Sequence, residues 1–207
     1  MKKWEVLSKF DPNKQDLVKL LLKNRKITSE SDLRDFLNPS LKKLTPKDLG
    51  IDSAELLKAT NRVKEAIKKK EMVIVFGDYD VDGITGAAVL WETLNDLGAN
   101  VMPYIPHRID EGYGLSIKGI DGALEKYPDT SLIITVDNGI VANNAVDYAK
   151  VKKIDVVVTD HHVVGKEKPL AHSIVHSTKV CGAGVGWVFA RHLEGKKTDL
   201  NKHLDLV

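Results

Sequence analysis

The sequence has 207 residues, 43% of them apolar and 29% charged, the balance of a globular domain and enough chain for one large domain or one domain with an extension. No apolar run approaches the roughly 18–20 residues of a membrane helix, and Met1-Lys2-Lys3-Trp4-Glu5 lacks the apolar core and cleavage site of a signal peptide, so no membrane partner is expected. The one cysteine, Cys181, excludes an internal disulfide and points to a reducing, cytoplasmic setting.

The net charge of +2 conceals an asymmetry. Residues 1–70 carry 18 Lys/Arg against 10 Asp/Glu, whereas 71–207 carry 13 against 19. The first segment can attract phosphates or simply be a solvated helical surface; the second can hold cations.

In chain order, residues 1–70 read as a basic helical extension. Leu17, Leu20, Leu21 and Leu22 form a short apolar stripe. A capped helix is expected within Thr28–Leu37, ending before Pro39. Leu56, Leu57, Thr60, Val63, Ala66 and Ile67 recur at helical spacing, and Lys68-Lys69-Lys70 suits the negative end of that helix. From residue 71 the pattern changes. Apolar runs at Met72–Phe76, Val101–Ile105, Leu132–Val136 and Asp155–Thr159 alternate with helical stretches near Ile84–Leu97, Ile117–Tyr127 and Val141–Lys152. Ser173–His176 reads as a fifth strand, and a helix follows over Gly184–Leu193. Such alternation predicts an α/β domain over 71–207, a parallel five-stranded sheet with helices on both faces.

Ligands of open parallel sheets bind beyond the carboxyl ends of the strands. The first strand is followed by Gly77-Asp78-Tyr79-Asp80-Val81-Asp82-Gly83, and the second by His107-Arg108. The third is followed by Asp137-Asn138-Gly139, and the fourth by Asp160-His161-His162. Carboxylates gathered at one edge repel one another and resist ionising unless cations join them. Carboxylate with imidazole suits Mn2+, Mg2+, iron or Zn2+. Two such ions about 3.5–4 Å apart clamp the attacking and leaving oxygens of a phosphoryl centre. The triple-Asp run also resembles an EF-hand start, but its twelfth position, Val89, is not Glu, and a strand precedes it. Gly83 and Gly86 could open an anion-binding helix, but no Gly-Lys-Ser/Thr follows. Taken singly, Asp137 reads as a helix cap, His161-His162 as a surface pair, Arg108 as a surface ion pair and His107 as a packing residue.

Together, the Asp78–Gly83, Asp137–Gly139 and Asp160–His162 motifs resemble those of the DHH phosphoesterases. His107-Arg108-Ile109-Asp110-Glu111-Gly112-Tyr113-Gly114-Leu115 is similar to a signature of the RecJ exonucleases within that superfamily. Gly182-Ala183-Gly184-Val185-Gly186 resembles their glycine-rich turn, and Phe36-Leu37-Asn38-Pro39-Ser40-Leu41 their lead-in. The resemblance implies a hydrolase that digests single-stranded DNA from the 5′ end with two Mn2+ or Mg2+ ions, and single-strand-binding protein as a candidate partner. Asp80 would ligate one ion, Asp82 and His161 the other, and Asp137 would bridge. Asp78 and Asp160 are further ligands or orienting groups. His162 would contact the scissile phosphate, Arg108 would grip a phosphate, and Tyr113, Asn138, Gly184 and Gly186 would line the substrate.

The sequence departs from the family at His176-Ser177-Thr178-Lys179-Val180, where an Asn-Pro pair is common; His176 reads as structural. Family members continue past the segment matching His203–Val207 to another metal-ligating aspartate and a second domain, so the catalytic domain is expected to be incomplete at its C-terminus. A small-nucleotide phosphodiesterase or oligoribonuclease of the same superfamily, or an inactive nucleic-acid-binding fragment, are the alternatives.

Overall fold

The structure, a computed structural model, describes residues 3–207 apart from 4, 8, 10, 12–15, 42, 43, 196–198, 200 and 201. Most of the N-terminal stretch read above for a signal peptide lies outside the described residues.

The chain divides into two compact units, 1–44 and 45–207. The first holds helices α1 (Leu17–Asn24) and α2 (Glu30–Leu37). Asp16 caps α1 by accepting from Val18 N and Lys19 N, and Ser29 caps α2 by accepting from Asp32 N.

The second unit begins before α3 (Ser53–Lys69). Its boundary thus differs from the residue-70 boundary drawn from charge, because α3 belongs to the core. Leu56, Ala59, Val63 and Ala66 are buried in the cluster that includes Val73 and Val75. The nearly buried Arg62 donates Nε to Asp155 Oδ2 at 2.6 Å and pairs with Glu71 at 2.7 Å. The helix exposes Lys58, Lys64, Lys68 and Lys69 on one side, while its opposite face is apolar.

Strands β1 (Met72–Gly77), β2 (Asn100–Tyr104), β3 (Thr130–Val136), β4 (Asp155–Asp160) and β5 (Ser173–His176) form one parallel sheet in the order β2-β1-β3-β4-β5. Successive side chains of a strand point to opposite faces. Val73 and Val75 therefore join α3, α4 (Val81–Asp96) and α7 (Gly182–Glu194) on one side. Ile74 and Phe76 join α5 (Ile117–Lys126) and α6 (Asn143–Val151) on the other. The α/β class, the five parallel strands and the helices on both faces are as expected, with strand ends within one or two residues.

Among the helix starts that differ, two bear on function. α4 begins at Val81, not Ile84, because Asp80 caps it by accepting from Gly83 N. Asp82 therefore stands on the first turn of a helix rather than in an extended or wrapping loop. α7 begins at Gly182 under a Cys181 cap, so Gly182, Gly184 and Gly186 are helical residues rather than a turn. The α7 glycines serve packing. A Cβ on Gly86 would lie 2.9 Å from Ala183 Cα, and one on Gly186 would lie 3.5 Å from Gly86 O. Small residues let α4 and α7 cross closely. Gly184 lies against Val180 and Cys181. Gly184 and Gly186, expected to line the substrate, are buried residues of this helix.

Candidate metal centre

The strand order reverses direction between β1 and β3, and the crevice at such a point is where parallel sheets bind ligands. Asp78 directly follows β1 and Asp137 directly follows β3, both essentially buried. Asn138 ties the two ends together: its Nδ2 donates to Phe76 O at 3.2 Å and Val136 O at 2.8 Å. Asp137 turns the chain in the left-handed region (φ 62°), which Asp tolerates better than most side chains.

Two groupings of donor atoms share Asp137. Oxygens of Asp78, Asp80 and Asp137 lie within 4.8 Å of one another, as do ligand atoms of Asp137, His161 and His162. His161 Nε2 approaches Asp137 Oδ1 at 3.1 Å and Asp82 Oδ2 at 3.6 Å. Asp82 itself spans to α7, accepting from Gly182 N at 2.7 Å and Ala183 N at 2.6 Å.

Asp160 plays a different part from the other carboxylates. Its Oδ1 accepts from His161 N, His162 N and His162 Nδ1, the last at 2.8 Å. Its Oδ2 accepts from Ile140 N at 2.9 Å. With both oxygens engaged, it acts as an anchor for the His161-His162 loop and fixes the orientation of the His162 ring. His176 holds the same loop through its Nε2 and His162 O at 2.7 Å, a structural role as expected.

The electrostatics call for a cation. Burial, with the charges of Asp82 and Asp80, pushes the Asp137 carboxyl up to about 8 in the absence of an ion. Asp78 Oδ2, Asp137 Oδ1 and Asn138 Oδ1 are buried and receive no hydrogen bond. Buried acceptors without partners are costly, and divalent ions satisfy such oxygens. Burial opposes protonation of His162. The hydrogen bond to Asp160 and the charges of Asp160, Asp137 and Asp78 outweigh it and hold the imidazole above its ordinary value.

Tyr113 is largely exposed and its hydroxyl lies 3.3 Å from His162 Nε2. Burial of the hydroxyl region and the Asp78 charge keep the phenol protonated beyond its usual range. Arg108 is exposed, its Cζ 4.8 Å from the centroid of the Tyr79 ring. Their loop is clamped by Glu111, which accepts from Tyr104 OH at 2.6 Å and His107 N at 2.8 Å. His107 pairs with Asp110 at 2.6 Å on the surface.

The structure thus brings Asp78, Asp80, Asp82, Asp137, His161 and His162 together. It seats Asp160 and Asn138 behind them, and Tyr113 and Arg108 at the rim. Gly182 and Tyr79 escaped the sequence reading as individual residues. A Cβ on Gly182 would overlap the Asp137 carboxylate. The signal for Gly182 was present in the glycine cluster, but only a packed helix shows which glycine faces the carboxylates. Tyr79 was signalled only by its place between Asp78 and Asp80.

Residues 72–207 match the DHH family, N-terminal domain. The chain is 39% identical over 150 residues to the single-stranded-DNA-specific exonuclease RecJ of Bacillus subtilis, covering 68% of this chain and 19% of that protein. It is 37% identical over 162 residues to RecJ of Thermus thermophilus, covering 75% of this chain and 23% of that protein. A crystal structure of the Thermus thermophilus RecJ in complex with Mn2+ superposes with a TM-score of 0.64 at 29% identity, covering 84% of this chain and 24% of that one. The chain therefore spans about a fifth to a quarter of these relatives. Among the described residues, no helix is long and apolar enough to cross a membrane.

Proposed function

This chain belongs to the DHH family, and from that membership we propose that it is the ion-binding part of a RecJ-type exonuclease. The whole enzyme would hydrolyse single-stranded DNA from the 5′ end. It would work in the cytoplasm, with single-strand-binding protein as a companion on the strand. The observation that carries the reading is the buried Asp137 carboxylate, shared by two groupings of ligand atoms and without a hydrogen-bond donor on Oδ1.

Asp78, Asp80 and Asp137 would hold one divalent ion, Mn2+ or Mg2+, and Asp137, His161 and Asp82 the second. Bound there, the ions would neutralise charge on the attacking and leaving oxygens of a phosphodiester. The chain's own groups would do the rest. His162, oriented by Asp160 at one nitrogen, offers the other beside Tyr113 OH to a phosphate oxygen or to the departing oxygen. Arg108 presents a planar fork of donors to a phosphate. Asn138 keeps the β1 and β3 ends at a fixed separation, so the carboxylates are held before any ion arrives.

Calorimetric titration with Mn2+ tests the centre. The parent chain is expected to bind, and Asp137→Asn to lose most of that affinity; equal affinity for both overturns the assignment. Hydrolysis of a 5′-phosphorylated single strand compared with a dinucleotide tests the substrate. Cleavage of the dinucleotide alone would place the protein among small-nucleotide phosphodiesterases. Ion binding without hydrolysis of either would mark a binding module.

A further inference from the structure

Strand β3 reads Leu132-Ile133-Ile134-Thr135-Val136 ahead of the Asp137 turn, and β4 reads Val156-Val157-Val158-Thr159 ahead of Asp160. Strands covered on both faces of a parallel sheet are ordinarily aliphatic throughout. Thr135 and Thr159 interrupt that pattern, and both are fully buried. A buried hydroxyl is costly unless it finds a partner, and each of these has one. Thr159 Oγ1 donates to Thr135 O at 2.6 Å, a tie between neighbouring strands. Thr135 Oγ1 donates elsewhere, to Asn138 O at 2.7 Å, inside the turn that carries Asp137.

That turn holds a backbone other residues must support. Asp137 has φ 62° and Gly139 φ 107°, and a non-glycine residue in the left-handed region persists where its surroundings over-determine it. Among the described residues no backbone amide donates to Asn138 O, so the Thr135 hydroxyl is the tie on that carbonyl. Thr159 N donates to the same Thr135 Oγ1 at 3.3 Å, which leaves the hydroxyl proton directed at the turn. Gly139 closes over the hydroxyl, since a Cβ there would lie 2.8 Å from Oγ1. Asp137 N donates to Thr159 O at 3.0 Å. The backbone is therefore fastened on both sides of Asp137, and the carboxylate is aimed at the point shared by the two groupings of ligand atoms.

We propose that Thr135 is a positioning residue for the ion centre: its hydroxyl, through Asn138 O, holds the left-handed turn that aims the Asp137 carboxylate at both ions. A valine of similar shape would fill the same space in the sheet and leave the turn untied. The proposal rests on the reading of Asp137 as an ion ligand given above.

The test compares the parent chain with Asp137→Asn, Thr135→Val, Thr135→Ser and Thr135→Ala. Calorimetric titration measures Mn2+ affinity, and chemical denaturation in chelator measures stability. Thr135→Val should bind Mn2+ about 10–100-fold more weakly, the usual cost of losing a group that orients a ligand. Thr135→Ser keeps the hydroxyl and loses a buried methyl, so it should be less stable than the parent yet keep most of the parental affinity. Thr135→Ala differs from the serine variant only by the hydroxyl and should lose affinity as the valine variant does; it supplies the answer if Thr135→Val does not fold. Hydroxyl-free variants with parental affinity would overturn the positioning role and leave the ion centre in place. A serine variant that loses as much affinity as the valine or alanine variant would assign the effect to packing, with the same consequence. A parent that binds no Mn2+, or an Asp137→Asn chain that binds as well as the parent, would remove the reading of Asp137 and the proposal with it.

Discussion

Asp82 Oδ2 accepts a 2.7 Å hydrogen bond from Gly182 N, joining the first turn of α4 to the first turn of α7 across 100 residues of sequence. Ala183 N donates to the other oxygen at 2.6 Å. The carboxylate thereby satisfies two of the free amides at the N-terminus of α7, where negative charge is favoured.

Asp82→Ala is therefore expected to cost stability as well as ion affinity. Hydrogen bonds to a charged group contribute about 1.5–3 kcal/mol each, and chemical denaturation with chelator present should show a loss on the order of one to two such bonds. Asp137→Asn should be far less destabilising without ions, since Asp137 Oδ1 accepts no hydrogen bond. Equal stability of Asp82→Ala and the parent in chelator would refute the bridging role of Asp82.

Gly182→Ala should damage the ion centre without touching any ligand. The added methyl would overlap Asp137, and displacement of ligands by their neighbours commonly costs about 10–100-fold in metal affinity. Mn2+ calorimetry is the measurement. An alanine variant with parental affinity would mean that the α7 terminus can yield by several tenths of an ångström.

The raised Asp137 carboxyl makes a signed prediction for pH. Between the ordinary carboxylate range and about 8, the ion-free folded chain holds a proton there that the unfolded chain has released. Stability contributed by this group therefore falls as pH rises through that window and levels off above it. Denaturation in chelator, repeated across the window, should show Asp137→Asn losing less stability with rising pH than the parent. Mn2+ must displace the same proton, so its affinity for the parent should climb with pH up to about 8. Parallel pH slopes for parent and variant would discredit the shift.

Asn138→Ala should destabilise the sheet edge itself. It leaves Phe76 O and Val136 O without their Asn138 donor in a buried place, at about 1–3 kcal/mol for each group left unsatisfied. A shift of the thermal midpoint without ions checks this, and an unchanged midpoint would show that water takes over both carbonyls.

Much of the site is legible directly along the chain. Asp78, Asp137 and Asp160 each end or follow an apolar run, and a parallel sheet delivers whatever follows its strands to one edge. His161 and His162 arrive with Asp160 for the same reason. Local pattern is weaker at helix starts. Asp80 reads as a ligand, yet its Oδ1 also caps α4, and that cap places Asp82 on a helix. Charge counting draws a boundary at residue 70 because it averages over a helix, whereas α3 buries one face and exposes lysines on the other.

By itself, then, the amino-acid order determined the strand–helix alternation, the class of sheet and the set of residues at its carboxyl edge. These follow from side-chain periodicity and from what stands next in the chain. The tertiary structure alone decided how that set divides its work. It made Asp160 an anchor because a backbone amide and both histidines converge on it. It made Asp82 a bridge because α4 and α7 cross closely at glycines. It made Gly182 rather than Gly184 or Gly186 the glycine beside Asp137. The partnerships of Asp160 with Ile140, of Asp82 with Gly182 and of Gly182 with Asp137 join positions tens of residues apart, through packing and hydrogen bonding that no local periodicity encodes.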